Sequence, residues 1–570
     1  MSSETRPAEP AAPPPAPTRH GGHLVAEILE RNGVTHVFGQ DSPEWLFEAL
    51  GDSPVTATVM RDERSAGFAA DAVARATGRP TVATGIHGPG AMNLPIALLE
   101  AKAAQSPVIA LVSGVETHLH GTGAFQETDQ VGIVTPLVKF AARAARPEDV
   151  EPTLQQAIDV AMTAPRGPVL VELPNDVMKA DAHRAQPVDE PAVAASPVAA
   201  ASTLDQAVTL IEAAARPVLL VGNGARQAGV GAGVTELAER LGAPVCTTAM
   251  GRGCFPERHP LYAGVAGFMS YREDGSGWVA NEALRSADVV VVLGSAMDGA
   301  TTDLGRLPGP ACRVVRVDVE DVGSRFAAQD VTLVRDLVEK TLPQFLERLA
   351  TTPRDPWMDL PARWDQVRAR QQAVAADPVD VGLHPARLFR ELGALLRPED
   401  LVVCDAAYSS VWALSYLAQG EHFDQIVYGR AAGTLGFGFP GAIGLARAHP
   451  GRRVVALVGD GGFGFGWGEL ETARRHDCDV TCIVLNNGAF AYQRLWHDLN
   501  EGTSRDLDFV DVRHDLLAEA VGVSGHRVEA AEDLRPALVA ALSTDGPTLV
   551  DVVVPVDTLP PFDMMRHVGV

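Results

Sequence analysis

The sequence predicts an α/β protein built from three doubly wound parallel-sheet domains in series, and three observations carry that expectation. Its 570 residues correspond, at roughly 150 residues per domain, to three or four cores rather than one. Short runs rich in Val, Ile and Leu alternate with longer helical patterns in three successive stretches, as parallel strands covered on both faces do. Between those stretches the periodicity lapses into Pro-, Ala- or polar-rich connectors.

Residues 1–19, MSSETRPAEPAAPPPAPTR, hold almost no core-forming side chain and are expected to be a disordered tail. Residues 20–182 form the first unit: LVAEILERNG as a helix, THVFG as a strand, SAGFAADAVARATG as a second helix, then strands TVATGI, PVIALVSG and PVLVELP. Residues 183–202 are a linker. The second unit, 203–349, carries strands PVLLVG, PVCTT, VVVVLG and RVVRVDV and no charged cluster that suggests chemistry. A polar connector over 350–380 leads to the third unit, 381–570, with strands LVVCD, RVVALVG, DVTCIVL and PTLVDVVV.

Composition narrows the partners. A formal net charge of −25 disfavours nucleic acid and anionic membrane surfaces. Six cysteines without a CxxC pair give neither a disulfide framework nor a zinc-ribbon spacing. No run approaches the ~18 apolar residues of a membrane span, and the first residues lack a basic-then-apolar signal pattern. A cytoplasmic location is expected, with small molecules as ligands.

The strongest motif lies in the third unit. After the strand RVVALV come Gly459, Asp460, Gly461 and Gly462, then the helical pattern GELETARRH, the strand TCIVL, and Asn486-Asn487. Asp460 and Asn487 thus close successive strands, where open α/β sheets place their ligands. A carboxylate oxygen from Asp460, an amide oxygen from Asn487 and the backbone carbonyl of Ala489 are hard donors suited to Mg²⁺, which completes its octahedron with phosphate oxygens and water. The glycines let backbone N–H groups approach a diphosphate. A Gly-Asp-Gly turn alone is more often just a tight turn; the Asn pair at this spacing favours a cofactor site.

GDG followed by NN at this distance resembles the thiamin diphosphate (ThDP) binding motif. The chain is similar to the three-domain ThDP enzymes of the acetolactate synthase, benzoylformate decarboxylase and pyruvate oxidase group, whose domains are pyrimidine-binding, central and diphosphate-binding. The resemblance implies an activating carboxylate, and TATVMRDERSAGFAADAVARATG supplies Glu63 where a strand turns into a helix. By itself an acidic residue there would merely complement the helix dipole. Bonded to N1′ of the aminopyrimidine, it would favour the tautomer whose 4′-nitrogen takes the thiazolium C2 proton. Asp62 stands where many relatives have His. In GRAAGTLGFGFPGAIG, Leu435 matches the apolar wedge that bends the cofactor, and Gly433 the carbonyl that accepts from its amino group. CDAAYSS aligns with the diphosphate turn and makes Tyr408 and Ser409 candidate donors.

On the substrate side, SGVETHLHGTGAFQETDQVGIVTPLVKF resembles the acetolactate synthase segment THLxGTDAFQE, with Phe125, Gln126 and Lys139 at matching positions. Gln126 is a candidate donor to a substrate carbonyl or carboxylate. His120 replaces an apolar residue, either as a second polar group in the pocket or as a structural His. His87, in TGIHGPGAMN, falls near the catalytic His of benzoylformate decarboxylase; it is either a group beside C2 or a loop His bonded to backbone. Gln40, Asp41 and Ser42 follow the first strand where relatives line the active site. FAD is not expected: the Arg-containing RFDDR of FAD-binding relatives is here Ser295-Ala296-Met297-Asp298-Gly299, which removes a bidentate phosphate clamp. The segment PPFDMMRHVGV is a candidate cover for the active site, by fold analogy.

The function implied is decarboxylation of a 2-oxo acid and ligation of the remaining fragment to a second carbonyl, as in acetolactate synthase-like carboligases. A non-ligating decarboxylase and a cofactor-binding regulatory protein without turnover are the alternatives. In this group Glu63 of one subunit would meet Asp460 and Asn487 of its neighbour, so a homodimer is the minimum unit and a homotetramer is common.

Overall fold

The computed structural model describes residues 19–182, 197–321, 330–417, 425–500, 502 and 505–562. The expected tail except Arg19, residues 183–196 of the linker and residues 563–570 of the C-terminal segment lie outside them.

Three six-stranded parallel sheets organise the chain. The first contains β1 (His36–Gly39), β2 (Thr56–Val59), β3 (Thr81–Gly85), β4 (Val108–Gly114), β5 (Phe140–Arg143) and β6 (Val169–Pro174), in the order β2-β1-β3-β4-β6-β5. The second contains β7 (Pro217–Val221), β8 (Val245–Thr247), β9 (Tyr262–Val265), β10 (Val289–Leu293), β11 (Arg313–Asp318) and β12 (Val331–Arg335), in the order β12-β11-β10-β7-β8-β9. The third contains β13 (Leu401–Cys404), β14 (Gln425–Tyr428), β15 (Val454–Gly459), β16 (Val480–Asn486), β17 (Ser524–Val528) and β18 (Thr548–Val553), in the order β14-β13-β15-β16-β18-β17. Helices cover both faces, so central strands such as β4 and β16 are buried at every residue and appear in sequence as unbroken apolar runs.

The first and third sheets share one strand order, and each has a switch point where neighbouring strands send their connections to opposite faces: β1/β3 and β13/β15. A crevice opens there beyond the carboxyl ends. The register pairs Gly459 with Leu485, so Asp460 and Asn487 both emerge just past the last rung of the β15–β16 ladder.

The first and third layers share a hydrophobic core. The helix Glu63–Thr77 starts at Asp62, whose carboxylate accepts the Arg64 N–H at 2.8 Å. It packs on the helix Gly438–Ala448 so closely that a Cβ at Gly444 would stand 2.6 Å from the Ala69 carbonyl. Small residues are therefore required at that crossing. Among the described residues no helix is long and apolar enough to cross a membrane.

Candidate functional site

A cavity of about 380 Å³ lies at the third sheet's switch point, and Tyr408, Ser409, Gly433, Leu435, Gly459, Asp460, Gly461, Gly462, Asn487 and Ala489 all line it. Asp460 accepts the N–H groups of Gly461 at 2.9 Å and Gly488 at 2.7 Å. Burial pushes its carboxyl up to about 6, and those donors offset the effect only in part. A buried carboxylate of this kind gains from a cation, and each oxygen keeps lone pairs for one. Asn487 Oδ1 accepts the Ala489 N–H at 3.2 Å across Gly488, whose φ of +68° permits the turn. Asn486 faces the other way and donates to Asp551 at 3.0 Å, as alternation along a strand requires. Of the two asparagines, only Asn487 lines the cavity.

The helix Tyr408–Tyr416 begins without a side-chain cap, so its first N–H groups are available to an anion. The buried hydroxyls of Tyr408 and Ser409 have no hydrogen-bond partner. Such orphans are uncommon in a folded interior, and burial pushes the Tyr408 phenol up, so it stays a neutral donor. Hard oxygen donors on one wall and hydroxyls plus a helix N-terminus on the other fit a divalent cation with a diphosphate. Val554, Pro555 and Thr558 complete the cavity wall, and Phe562 packs against Tyr408 and Tyr492. The described part of the C-terminal segment thus runs along the site.

Two further residues had no signal in the sequence pattern. Arg430 lines the same cavity, and its Nη1 donates to the carbonyls of Ala406 and Ala407 at 3.3 Å; burial pushes the guanidinium down to about 10. Asp405, fully buried, accepts the N–H groups of Gly436 at 3.0 Å and Gly438 at 3.2 Å. It shapes the turn that follows Leu435.

Glu63 lies elsewhere. It is 4% exposed, accepts Asn93 Nδ2 at 3.0 Å, and is not among the residues of the diphosphate-side cavity. Around it, the turn after β3 gathers the substrate-side candidates. Ser113 Oγ accepts the His87 N–H at 2.9 Å and the Ser42 hydroxyl at 3.0 Å, and lies 3.0 Å from His87 Nδ1. With both acceptor positions used, its own proton goes to Nδ1, which assigns the ring hydrogen to Nε2. Burial lowers the imidazole pKa, and a hydrogen bond to the Phe125 backbone opposes that shift only in part. Gln126 sits at φ +65°, with its carbonyl 2.3 Å from where a Cβ at Gly88 would stand. Glu63, His87 and Gln126 therefore surround one turn at the first sheet's switch point. Next to them Phe125 is 86% exposed.

The remaining candidates stand apart. His120 is exposed and pairs with Glu127 at 3.3 Å, and Lys139 donates to the carbonyls of Val160 and Thr163. Gln40 reaches the Arg61 carbonyl at 3.4 Å, and Asp41 is exposed. A Cβ at Gly90 would lie 2.7 Å from Glu63 Oε1, so Gly90→Ala should displace that carboxylate. We expect a rate loss on the order of 100-fold with cofactor uptake retained, read by steady-state kinetics beside calorimetry.

The central sheet corrects one expectation. Above its β7/β10 switch point lies a cavity of about 230 Å³ whose walls include Asp298, Asp318, Glu320, Asp336 and Glu339. Asp298 follows β10, Asp318 and Glu320 lie at the end of β11, and Asp336 and Glu339 follow β12, so only the fold assembles them into a cluster. Arg166 and Arg430 are the cations of that wall among the described residues.

Comparison with known proteins agrees along the chain. Residues 19–133 match the description "Thiamine pyrophosphate enzyme, N-terminal TPP binding domain", residues 204–345 the central domain of the same enzymes, and residues 405–552 their C-terminal TPP binding domain; thiamine pyrophosphate is ThDP. A probable acetolactate synthase large subunit of Methanocaldococcus jannaschii is 30% identical over 560 residues, 95% of this chain and 93% of the relative. An acetolactate synthase of Arthrospira platensis is 31% identical over 93% of both chains. The isozyme 3 large subunit of Escherichia coli acetolactate synthase is 30% identical over 92% of both.

Proposed function

Because the chain belongs to the thiamine pyrophosphate enzyme family, we propose that it is a Mg²⁺- and ThDP-dependent carboligase that decarboxylates a 2-oxo acid and joins the remaining fragment to a second carbonyl compound. The observation that carries this reading is the switch-point cavity, where Asp460 and Asn487 face two unpartnered hydroxyls. The relatives' acetolactate synthase names favour ligation over simple release.

In this reading Asp460, Asn487 and the Ala489 carbonyl hold the cation, while Ser409, Tyr408 and the N–H groups of the helix Tyr408–Tyr416 take the phosphate oxygens. When bound, the coenzyme supplies a nucleophilic carbon and an electron sink, chemistry no side chain here provides. Glu63 holds a proton at the pyrimidine N1′ and so governs the state of the 4′-nitrogen. The Gly433 carbonyl would accept from the coenzyme's amino group, and Leu435 would pack against it from the same wall. His87, whose ring also meets the Phe125 backbone, would be the imidazole nearest the substrate, and Gln126 would be the neighbouring amide donor.

A second copy of the chain completes the site. Glu63 is not among the residues lining its own chain's Asp460–Asn487 cavity, and the exposed Phe125 beside His87 offers apolar area for a partner to cover. We further propose that the enzyme works without FAD, since five carboxylates around the central cavity oppose a dinucleotide's phosphates. Protein purified without visible flavin absorption, and active without added FAD, is the expected result.

The presence of an imidazole at position 87, a group able to offer a proton, favours a second reading, a non-ligating decarboxylase. Incubation with ThDP, Mg²⁺ and pyruvate or phenylglyoxylate, followed by assays for CO₂, aldehyde and hydroxyketone, separates the two. Hydroxyketone is expected; aldehyde alone would reject ligation, and bound cofactor with no product would favour a binding protein. His87→Ala should change the ratio of hydroxyketone to aldehyde, and unaltered products and kinetics would return the residue to a loop-bracing role.

A further inference from the structure

The turn that carries Gly433 and Leu435 is held from outside its own sheet. Glu100, on the helix Pro95–Ala103 of the first layer, is 0% exposed. Its Oε1 accepts the Ala431 N–H at 2.8 Å. Its Oε2 accepts the Ala432 N–H at 2.9 Å, the Thr434 N–H at 3.4 Å and the Thr434 hydroxyl at 3.0 Å. Arg75 braces the same carboxylate at 3.1 Å, and is itself oriented by Asp71 and by the Tyr428 carbonyl at 2.7 Å. Burial alone would push the Glu100 carboxyl up, but the Arg75 guanidinium and the N–H groups of Ala432 and Ala431 outweigh it, so the group is ionised below its ordinary range.

These bonds decide where one carbonyl points. The Gly433 C=O and the Thr434 N–H belong to a single peptide unit, and in a trans peptide they point in opposite directions. With that N–H drawn toward Glu100, the Gly433 carbonyl is turned away from it. Gly433 sits at φ +80° with nothing within 4 Å of where a Cβ would stand, so side-chain packing at Gly433 does not set its orientation. On the other flank Asp405 fixes Gly436 and Gly438. Two buried carboxylates therefore grip the turn from both ends.

We propose that Glu100 is a positioning residue for the cofactor: a first-layer carboxylate sets the direction of the Gly433 carbonyl, and with it the seat of the aminopyrimidine. This rests on the reading of Gly433 and Leu435 as the clamp. The diphosphate end, anchored by Asp460, Asn487 and Ser409, depends on other contacts. Loss of Glu100 should therefore weaken one end of the ligand and spare the other, which general destabilisation would not do.

The test uses the full-length protein as wild type, Glu100→Gln and Glu100→Ala. Amide exchange of the segment 429–437 is followed by mass spectrometry without ligand, and affinities for ThDP with Mg²⁺ and for inorganic pyrophosphate with Mg²⁺ are measured by calorimetry. Glu100→Ala should speed exchange at 431–434 and weaken ThDP binding by about ten-fold or more, with pyrophosphate affinity unaltered. Glu100→Gln should fall between, because one acceptor oxygen remains while its amide opposes the turn's donors. If Glu100→Ala fails to fold, the glutamine variant carries the same comparison. Wild-type ThDP affinity in the glutamine variant, or equal weakening of ThDP and pyrophosphate, would overturn the role of Glu100. Absence of ThDP uptake by the wild-type protein would overturn the clamp reading, and this proposal with it.

Discussion

Glu63→Gln should lose roughly 10²- to 10⁴-fold in turnover, the range for removal of a positioned acid–base group, while binding ThDP and Mg²⁺ as the wild type does. The substitution keeps the side chain's size and its hydrogen bond from Asn93, so packing at the start of the helix Glu63–Thr77 is preserved. What it removes is the proton that, in the proposed function, the carboxyl would exchange with N1′. Steady-state kinetics beside calorimetry separate the two effects, and a Gln variant that turns over like the wild type would contradict the assigned role.

The second large effect belongs to the opposite end of the cofactor. Asp460→Ala should weaken ThDP binding in Mg²⁺ by about 100-fold or more, corresponding to about 3 kcal/mol for removing one partner of a buried charge pair. It should also abolish the dependence of cofactor affinity on the cation. The Gly461 and Gly488 N–H groups lose their acceptor in the same change, so Asp460→Asn is the gentler comparison. Titration of each variant with ThDP at several Mg²⁺ concentrations reads this directly; an affinity that keeps its Mg²⁺ dependence in the alanine variant would remove Asp460 from the metal site.

The fold was legible in the sequence wherever a strand is interior. Interior strands such as VVVVLG and TCIVL are buried on both faces and leave unbroken apolar runs. The strands that left no such signal, β5, β9, β12, β14 and β17, all lie at sheet edges. Edge residues are paired on one side only, and β5, β12 and β17 mix polar and apolar side chains with partial exposure.

The site divides in a similar way. Asp460 and Asn487 stood out because a turn motif and an Asn pair close neighbouring strands at a fixed spacing. Glu100 could not: it is a lone carboxylate in the apolar helix PIALLEAKA, and its first backbone partner is 331 positions away. Asp405 is not legible in CDAAYSS because a residue that folds a turn around itself looks, in one dimension, like any polar strand end. The acidic wall of the central cavity escaped for the same reason, being collected from the ends of several strands.

In the proposed function Glu63 of one chain and Asp460 of another act on a single cofactor. Mixing the inactive Glu63→Gln and Asp460→Ala chains under conditions that exchange subunits tests it. A mixed dimer then holds one site with both residues intact, and random pairing should restore about a quarter of wild-type activity. No recovery, in samples where mass spectrometry finds mixed dimers, would contradict the claim.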